Sequence, residues 1–440
     1  MFRKYLFKIL IVLCGVVYGI AGAHAQDCTV DYELIFRMSK PVIGSYNVWD
    51  VLYGEQETEE RLTSGVYDAN GWLIAAGQRA KAGSADVDLI LVALGRRGRM
   101  HWEQAHSVKG LHEVKKMIAR GDGFLVLGNL KDAKGKQAVW LGFVDANGKL
   151  TGSKTLSDKK DGMVGTDIIP AHDGKNYMLA TQFITAQGEP ASHAAVHKIT
   201  PDGKVLFGPA FLPGAENKIL GLTAVADNHY IAVGYIMRAN GQKAGWMMRL
   251  NEQAGIDWQR QYARGSGAEL VAVRPLLSRY AVVVGGVDPT QGSGENAAGW
   301  LMTVGIDSGE IGWQRYYTGD INYAGRDLLT NPDGMISVLL EGTPAKEDDP
   351  DYVRLLTINP RGQLFISDEY FNGEAADAYQ IIKSPSDERV LLGRTKMKYT
   401  IETPGEPEPK IIRSHEGWVL VGQAAEPYND PCIQPFQAAP

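Results

Sequence analysis

Short apolar runs recur along the chain at nearly constant intervals, separated by polar and glycine-rich stretches. Seven runs of this type occur, at residues 71–77, 123–128, 177–181, 230–234, 280–285, 335–341 and 389–393. Their last residues are separated by 51, 53, 53, 51, 56 and 52 positions. Because β-rich runs at such even spacing are typical of repeat proteins, the pattern predicts a repeated unit of roughly 52 residues.

Each apolar run belongs to a group of four predicted strands. In the fourth repeat the run is followed by a strand at 245–250, a tight turn at 251–255 and another strand at 256–262. A further strand precedes each run, as at 269–274 in the next repeat. The turns contain glycine or asparagine, which supply the positive φ that hairpin turns need. Since no long helical periodicity occurs, the pattern predicts an all-β fold of four-stranded sheets.

The strand count predicts that the sheets close into a ring. The last group has three strands within 378–423 and lacks an outer one, whereas the N-terminal part has a spare strand at 47–53. In that strand Trp49 and Tyr53 repeat the Trp-x-x-x-Tyr spacing of the fourth repeat. Pairing it with the last group removes the open sheet edges. We therefore expect a β-propeller of seven four-stranded blades; a β-helix and a pair of β-sandwiches are the alternatives, although neither explains seven even units.

Two repeats share a more specific pattern. A Gly-Trp strand, a turn that begins with Asn or Asp and contains Gly, and a Trp-Gln-x-x-Tyr strand occur within 245–262 and again within 299–317. This pattern resembles the propeller repeats of bacterial secreted proteins and, more distantly, the tryptophan-docking repeats of quinoproteins. The resemblance covers residues 47–423 and is specific only in these two repeats. It implies a propeller, in which the recurring tryptophans pack between blades, and it implies no particular activity.

The N-terminus has the pattern of a secretory signal peptide. Arg3, Lys4 and Lys8 precede an apolar run at 9–20, and small residues end in Ala-His-Ala at 23–25. This arrangement predicts a signal peptide over residues 1–25. A membrane anchor is the alternative, but the run is about a dozen residues, short of the roughly 20 that span a bilayer.

Cleavage of that segment defines the expected mature protein. Residues 26–440 would form one propeller domain, with the repeats at about 47–423 and a tail at 424–440. We expect a monomer in the periplasm or the medium, with no membrane segment after cleavage. Cleavage removes three of the 45 basic residues and none of the 51 acidic ones, which leaves a formal charge of −9. Nucleic acids and anionic membranes need clustered Lys and Arg, so neither is expected as a partner.

Two cysteines stay in the mature chain. Cys28 and Cys432 lie close to its two ends, while Cys14 leaves with the signal peptide. In an oxidising compartment two lone cysteines usually pair. We therefore predict a Cys28–Cys432 disulfide that holds the ring closed; two free thiols are the alternative.

The candidate binding residues lie where the loops meet the innermost strands, at one end of the expected central channel. They are His112, Glu113, Asp167, Glu269, Arg326 and Asp327. We expect these side chains to be exposed, so that replacing the acidic ones leaves the fold intact.

No catalytic or cofactor motif accompanies these residues. His193 and His197 are four positions apart on a predicted strand, roughly 13 Å from each other, so they cannot share one metal ion. The sequence thus predicts no metal and no cofactor. The leading hypothesis is an exported, non-enzymatic binding or scaffold propeller for a protein or carbohydrate ligand. The alternative is a propeller enzyme acting on a sugar, polymer or small alcohol, which would need acid and base groups within hydrogen-bond reach of the substrate.

Overall fold

A computed structural model describes most of the repeat region. The described residues are 42–43, 47–54, 58–81, 87–185, 192–208, 216–290, 292–344, 351–401 and 409–424. Apart from one 3₁₀ turn at Arg96–Gly98, their regular elements are all strands. Nothing in these ranges forms a helix with the length and apolar character needed to span a bilayer. The all-β prediction is confirmed, whereas residues 1–25, Cys28 and Cys432 lie outside the described residues.

The strands follow one another in short antiparallel pairs. Near the N-terminus lie β1 (Val42–Ile43) and β2 (Asn47–Tyr53). Unit 1 comprises β3 (Thr58–Tyr67), β4 (Leu73–Lys81), β5 (Asp88–Leu94) and β6 (Met100–Ser107). Unit 2 comprises β7 (Leu111–Arg120), β8 (Gly123–Lys131), β9 (Gln137–Val144) and β10 (Leu150–Leu156). Unit 3 comprises β11 (Gly162–Pro170), β12 (Tyr177–Ile184), β13 (His193–Ile199) and β14 (Val205–Phe207).

The second half of the chain repeats this order. Unit 4 comprises β15 (Asn217–Val225), β16 (His229–Met237), β17 (Lys243–Leu250) and β18 (Ile256–Tyr262). Unit 5 comprises β19 (Gly267–Leu276), β20 (Tyr280–Asp288), β21 (Ala298–Gly305) and β22 (Ile311–Tyr317). Unit 6 comprises β23 (Asn322–Thr330), β24 (Ile336–Thr343), β25 (Tyr352–Ile358) and β26 (Leu364–Tyr370). Unit 7 comprises β27 (Ala375–Lys383), β28 (Arg389–Ile401) and β29 (Lys410–Gly422).

Within each unit the strands pair in chain order as an antiparallel meander. The recurring apolar runs of the sequence are the second strands, which are buried on both faces because neighbouring sheets cover them. A single parallel bridge, His415 to Glu59, joins β29 to β3. Four-stranded meanders stacked in this way make the fold β-propeller-like.

The N-terminal strand β2 completes unit 7. It pairs antiparallel with β29, from Asn47 opposite Gly422 to Tyr53 opposite Gly417. This pairing is the one predicted for residues 47–53. The two-residue β1 also pairs, in parallel, with the outer strand β26 of unit 6, which the sequence pattern did not indicate.

Tryptophans of the outer strands join each unit to the next. The indole N–H of Trp258 donates to the Ile306 carbonyl at 3.0 Å, and that of Trp313 donates to the Pro360 carbonyl at 2.8 Å. The ring of Trp258 also covers Gly309, which has a φ of +68°, and a Cβ there would lie 3.0 Å from the ring. Glycine is therefore required by both the backbone conformation and the close approach.

Trp49 makes the same contact across the two ends of the repeat region. Its ring covers Gly98, the tight-turn glycine of unit 1, where φ is +72° and a Cβ would lie 3.1 Å from the ring. Trp102 covers Gly148 of unit 2 in the same way. The predicted packing of the recurring tryptophans between repeats is confirmed for these residues.

Candidate functional site

The first strand of every unit contains a β-bulge at an equivalent position. The register shifts fall between Leu62 and Ser64, Val114 and Lys116, Gly165 and Asp167, Ile219 and Gly221, Leu270 and Ala272, Gly325 and Asp327, and Ala378 and Gln380. A bulge adds one residue to one strand and redirects the side chains around it. Two consecutive residues of each first strand can therefore face the same space.

These bulges surround one central cavity of about 170 Å³. Its lining takes two residues from each unit, namely Thr63–Ser64, Lys115–Lys116, Thr166–Asp167, Leu220–Gly221, Val271–Ala272, Arg326–Asp327 and Tyr379–Gln380, together with Arg274. Pockets for drug-sized ligands commonly measure about 300–1,000 Å³. The cavity therefore has room for water or one small chemical group rather than a large ligand.

Asp167 lies deep in this cavity and connects units 2, 3 and 4. Its Oδ1 accepts a hydrogen bond from the backbone N–H of Ile168 at 2.8 Å and lies 2.5 Å from the Lys116 ammonium. Its Oδ2 accepts from the backbone N–H of Leu222 at 2.7 Å. Only 7% of Asp167 is exposed, so this carboxylate stabilises contacts between units.

Asp327 repeats this arrangement between units 5, 6 and 7. Its Oδ1 accepts from the Leu328 backbone N–H at 2.9 Å and from the Arg274 guanidinium at 2.8 Å. Its Oδ2 accepts from the Ile381 backbone N–H at 3.1 Å. The expectation of exposed side chains is thus wrong for Asp167 and Asp327, because the bulge turns them inward against the next unit.

Neutral acceptors take the same role in other units. The backbone N–H of Met117 donates to Ser64 Oγ at 3.0 Å, between units 1 and 2. The backbone N–H of Gly65 donates to Gln380 Oε1 at 2.7 Å, between units 1 and 7. In both cases the acceptor follows its own bulge, as Asp167 and Asp327 do. The same type of bond therefore also connects the first unit with the last.

A ring of seven residues, five of them charged, lies just outside the bulges. Alternate residues of a strand face the same side, so the residue two positions before each bulged residue also faces the central axis. At this position the units carry Arg61, Glu113, Val164, Lys218, Glu269, Ala324 and Asp377. We call this layer the mouth ring. It contains Glu113 and Glu269 of the predicted set.

Both glutamates of the mouth ring form ion pairs. Glu113 lies 2.8 Å from the Lys115 ammonium and accepts from the Asn129 amide at 3.0 Å. Burial alone would raise the pKa of Glu113, but Lys115, Asn129 and the nearby Arg61 hold it below its usual value. Glu269 lies 3.1 Å from the Lys243 ammonium.

Units 6 and 7 bring further carboxylates to the mouth. Arg326, which lines the cavity, forms an ion pair with Glu341, and Asp377 lies 2.7 Å from Arg394. Burial raises the pKa of Glu341, and the negative charge of Asp377 adds to this effect. Burial and Asp377 likewise raise the pKa of Asp351. This side of the mouth is therefore the more acidic one.

Lys218 differs from the other charged groups of the mouth. It lies in β15 opposite Tyr235, and within the described ranges no carboxylate lies within ion-pair distance of its ammonium. Burial lowers the pKa of Lys218, and the positive charges of Lys115 and Lys243 lower it further, whereas the negative charges of Glu113 and Glu269 raise it. The cation is thus half-buried beside two other cations and the glutamates that pair with them.

His112 lies away from the central cavity. It faces a separate groove of about 1,150 Å³ on unit 2, lined also by residues such as Lys109, Asp132 and Asp158. Burial lowers the pKa of His112, and its Nδ1 has no hydrogen-bond partner among the described residues. The structure therefore brings five of the six predicted residues to the cavity or its mouth and places His112 elsewhere.

Sequence reasoning missed Arg61, Lys218 and Asp377 in the mouth ring. Each precedes its bulge by the same number of residues as Glu113 and Glu269 do, although Glu113 lies one residue closer in sequence to its partner on the second strand. An alignment of the repeats by the bulge position would have identified them. The bulge itself has no marker in the sequence, since the residues at it range from glycine to arginine.

Metal ligands do not cluster in the described part of the chain. No group of three or more His, Cys, Asp or Glu residues there has the geometry to hold an ion. His193 and His197 both lie in β13, as predicted, and both rings approach Phe183, at centroid distances of 5.3 and 6.4 Å.

Comparison with known proteins gives distant structural similarity. No family model and no curated protein matches the sequence. A protein of unknown function from Dyadobacter fermentans is 12% identical, with a TM-score of 0.49, over 87% of this chain and 100% of its own. A puromycin-hydrolysing peptidase from Mycobacterium tuberculosis is 14% identical, with a TM-score of 0.48, over 88% of this chain and 58% of its own.

A europium-containing methanol dehydrogenase is 9% identical, with a TM-score of 0.45, over 80% of this chain and 85% of its own. At these levels of similarity none of the three proteins carries an argument about the activity of this chain.

Proposed function

We propose that the chain is an exported protein whose mature part, residues 26–440, forms a closed ring of seven blades. Three contacts support this proposal: the pairing of β2 with β29 of unit 7, the packing of Trp49 in β2 on Gly98 of unit 1, and the Gly65–Gln380 hydrogen bond between units 1 and 7. A Cys28–Cys432 disulfide would hold the same closure covalently. Export would place the protein in the periplasm or the medium, as a monomer.

We further propose that this propeller is a non-enzymatic binding protein, with its ligand at the mouth ring. The observation that supports this proposal best is that the carboxylate oxygens of both cavity acids already have hydrogen-bond and ion-pair partners within the protein. Asp167 and Asp327 each accept two backbone hydrogen bonds and pair with a cation. A general acid or base must exchange a proton with its substrate. Carboxylates fixed in this way instead hold the blades in place beneath a half-buried, charged mouth.

A carbohydrate or a protein is the proposed ligand class. The mouth ring carries side chains of both charges, which can donate and accept hydrogen bonds and so suit polar ligands. The formal charge of −9 expected for the mature chain makes nucleic acid an unsuitable partner.

A capture experiment tests the binding proposal. The mature protein, immobilised, is compared with a mouth variant that carries Arg61→Gln, Lys218→Gln and Asp377→Asn. We expect wild-type protein to retain a carbohydrate or protein from the exporting cell and the mouth variant to lose it. The control carries Lys175→Gln, in the exposed turn between β11 and β12 at the opposite ends of the strands, and should bind like wild type.

Two results would contradict the proposal. Binding that survives in the mouth variant would place the site outside the mouth ring. Turnover of a sugar, polymer or small alcohol that disappears in the mouth variant would favour the enzyme alternative.

A further inference from the structure

The mouth carries more cations than its ion pairs use. Every carboxylate named in the four ion pairs has its own cation: Glu113 with Lys115, Glu269 with Lys243, Glu341 with Arg326, and Asp377 with Arg394. Arg61 donates to the Gln78 side chain at 2.9 Å and lies 3.8 Å from Glu113. Among the described cations of the mouth, Lys218 is left without an ion pair.

We propose that Lys218 binds an oxyanion, the carboxylate or phosphate group of a small ligand, at the mouth of the central cavity. This inference rests on the proposed function, since it names the chemical group that the mouth recognises. The position of Lys218 in the mouth ring directs its side chain toward the cavity axis, like those of Glu113 and Glu269.

The surroundings of Lys218 favour an anion there. A half-buried ammonium without a counter-ion is unfavourable, and Lys115 and Lys243 increase the local positive charge. Glu113 and Glu269 oppose this charge only in part, because each already pairs with one of those lysines. An oxyanion would supply the missing negative charge and could accept hydrogen bonds from more than one ammonium.

The size of the cavity limits how such a ligand can bind. About 170 Å³ admits one small group, so the oxyanion would lie at the mouth ring while the rest of a larger ligand stays outside. The acidic side of the mouth, around Glu341 and Asp377, would repel a second anionic group. A ligand with one oxyanion at its end therefore fits better than a polyanion.

Isothermal titration of the mature protein tests this inference with three probes at constant ionic strength: inorganic phosphate, glucuronate, and glucose as the neutral control. We expect phosphate or glucuronate, but not glucose, to bind at millimolar concentrations. Binding of phosphate alone would identify a phosphate group as the natural determinant, and binding of glucuronate alone would identify an acidic sugar. Lys218→Gln should raise the dissociation constant of the anion at least about tenfold, which corresponds to about 1.4 kcal/mol of binding free energy.

Two further variants keep the test decisive. Lys218→Arg retains the charge and should bind the anion within a few-fold of wild type, whereas Lys175→Gln removes an exposed, distant charge and should have no effect. Equal anion binding by Lys218→Gln, or no binding of either anion by wild type, would overturn the inference. Loss of the captured ligand in the mouth variant, with retention in Lys218→Gln, would reject the anion site while leaving the proposed binding function intact.

Discussion

At the scale of single residues, carboxylate side chains have two different roles near the cavity. Glu113 and Glu269 lie at the mouth, whereas Asp167 and Asp327 are buried one step deeper and bond to the next unit. The sequence places all four near the starts of inner strands, and that much was predictable. Their depth was not, because it depends on a bulge whose position follows from pairing with the second strand.

Asp327→Ala should therefore destabilise the protein strongly. The substitution leaves Arg274 without its partner and two backbone N–H groups without an acceptor, so we expect a loss of about 3–5 kcal/mol in the free energy of unfolding. Chemical denaturation measures it. Asp307→Ala, at a side chain that is 84% exposed, is the control and should change stability by under about 0.5 kcal/mol. An equally small change for Asp327→Ala would show that the buried contacts contribute little.

His197 should make stability depend on pH. Its Nε2 lies 3.0 Å from Thr181 Oγ1, and burial lowers its pKa from the usual 6.5 to about 4. When the pH is lowered below 6.5, the unfolded chain binds a proton that the folded protein does not. The free energy of unfolding therefore decreases as the pH decreases, until folded His197 also protonates near pH 4. The total loss is about 3 kcal/mol.

Denaturation curves between pH 4 and 6.5 measure this effect. His197→Gln cannot take up the proton and should show a smaller loss of stability over this range, by about 3 kcal/mol. His172→Gln, at an exposed histidine, should keep the wild-type dependence. A His197→Gln variant with an unchanged dependence would assign it to other groups.

At the scale of strands, the positions of tryptophan and glycine explain why the repeats could be recognised in the sequence. The Trp-x-x-x-Tyr spacing identified 47–53 as an outer strand because each such tryptophan needs a glycine turn in the following unit. The pairing of β1 with β26 was not predictable, since two residues carry no periodic pattern. The outer strand of unit 2 has no tryptophan, and its Lys154 covers the turn glycine of unit 3, Gly203, instead.

Trp49→Ala tests whether β2 is an integral strand. Removing this half-buried ring from Gly98 should lower the free energy of unfolding by about 3 kcal/mol, at the low end of the range for large aromatic residues. Trp313→Ala is the matched control, because Trp313 makes the same type of contact between units 5 and 6, which follow one another in the chain. A large effect of Trp313→Ala with none for Trp49→Ala, measured by thermal or chemical unfolding, would show that β2 is an appendage.

At the scale of the whole molecule, the mouth ring depends on contact between the first and last units. One cavity contacts the first strands of all the units, and the mouth ring is complete only if unit 7 and unit 1 are neighbours. The even spacing of the apolar runs predicted the repeated sheets, because sheets of equal size leave equal intervals in the chain. The spare strand at 47–53 predicted the closure. The chemistry of the mouth was less predictable, since it arises from residues of different units that are distant in sequence.

Amide hydrogen exchange of the intact mature protein tests closure most directly. If β2 is the outer strand of the last blade, the backbone amides of residues 49–53 that bond to β29 should exchange as slowly as those of the outer strand β18. The facing amides of β29 should be equally protected. Exchange of residues 49–53 at the rate of an unstructured segment, with β29 behaving as an open edge, would contradict the closed ring.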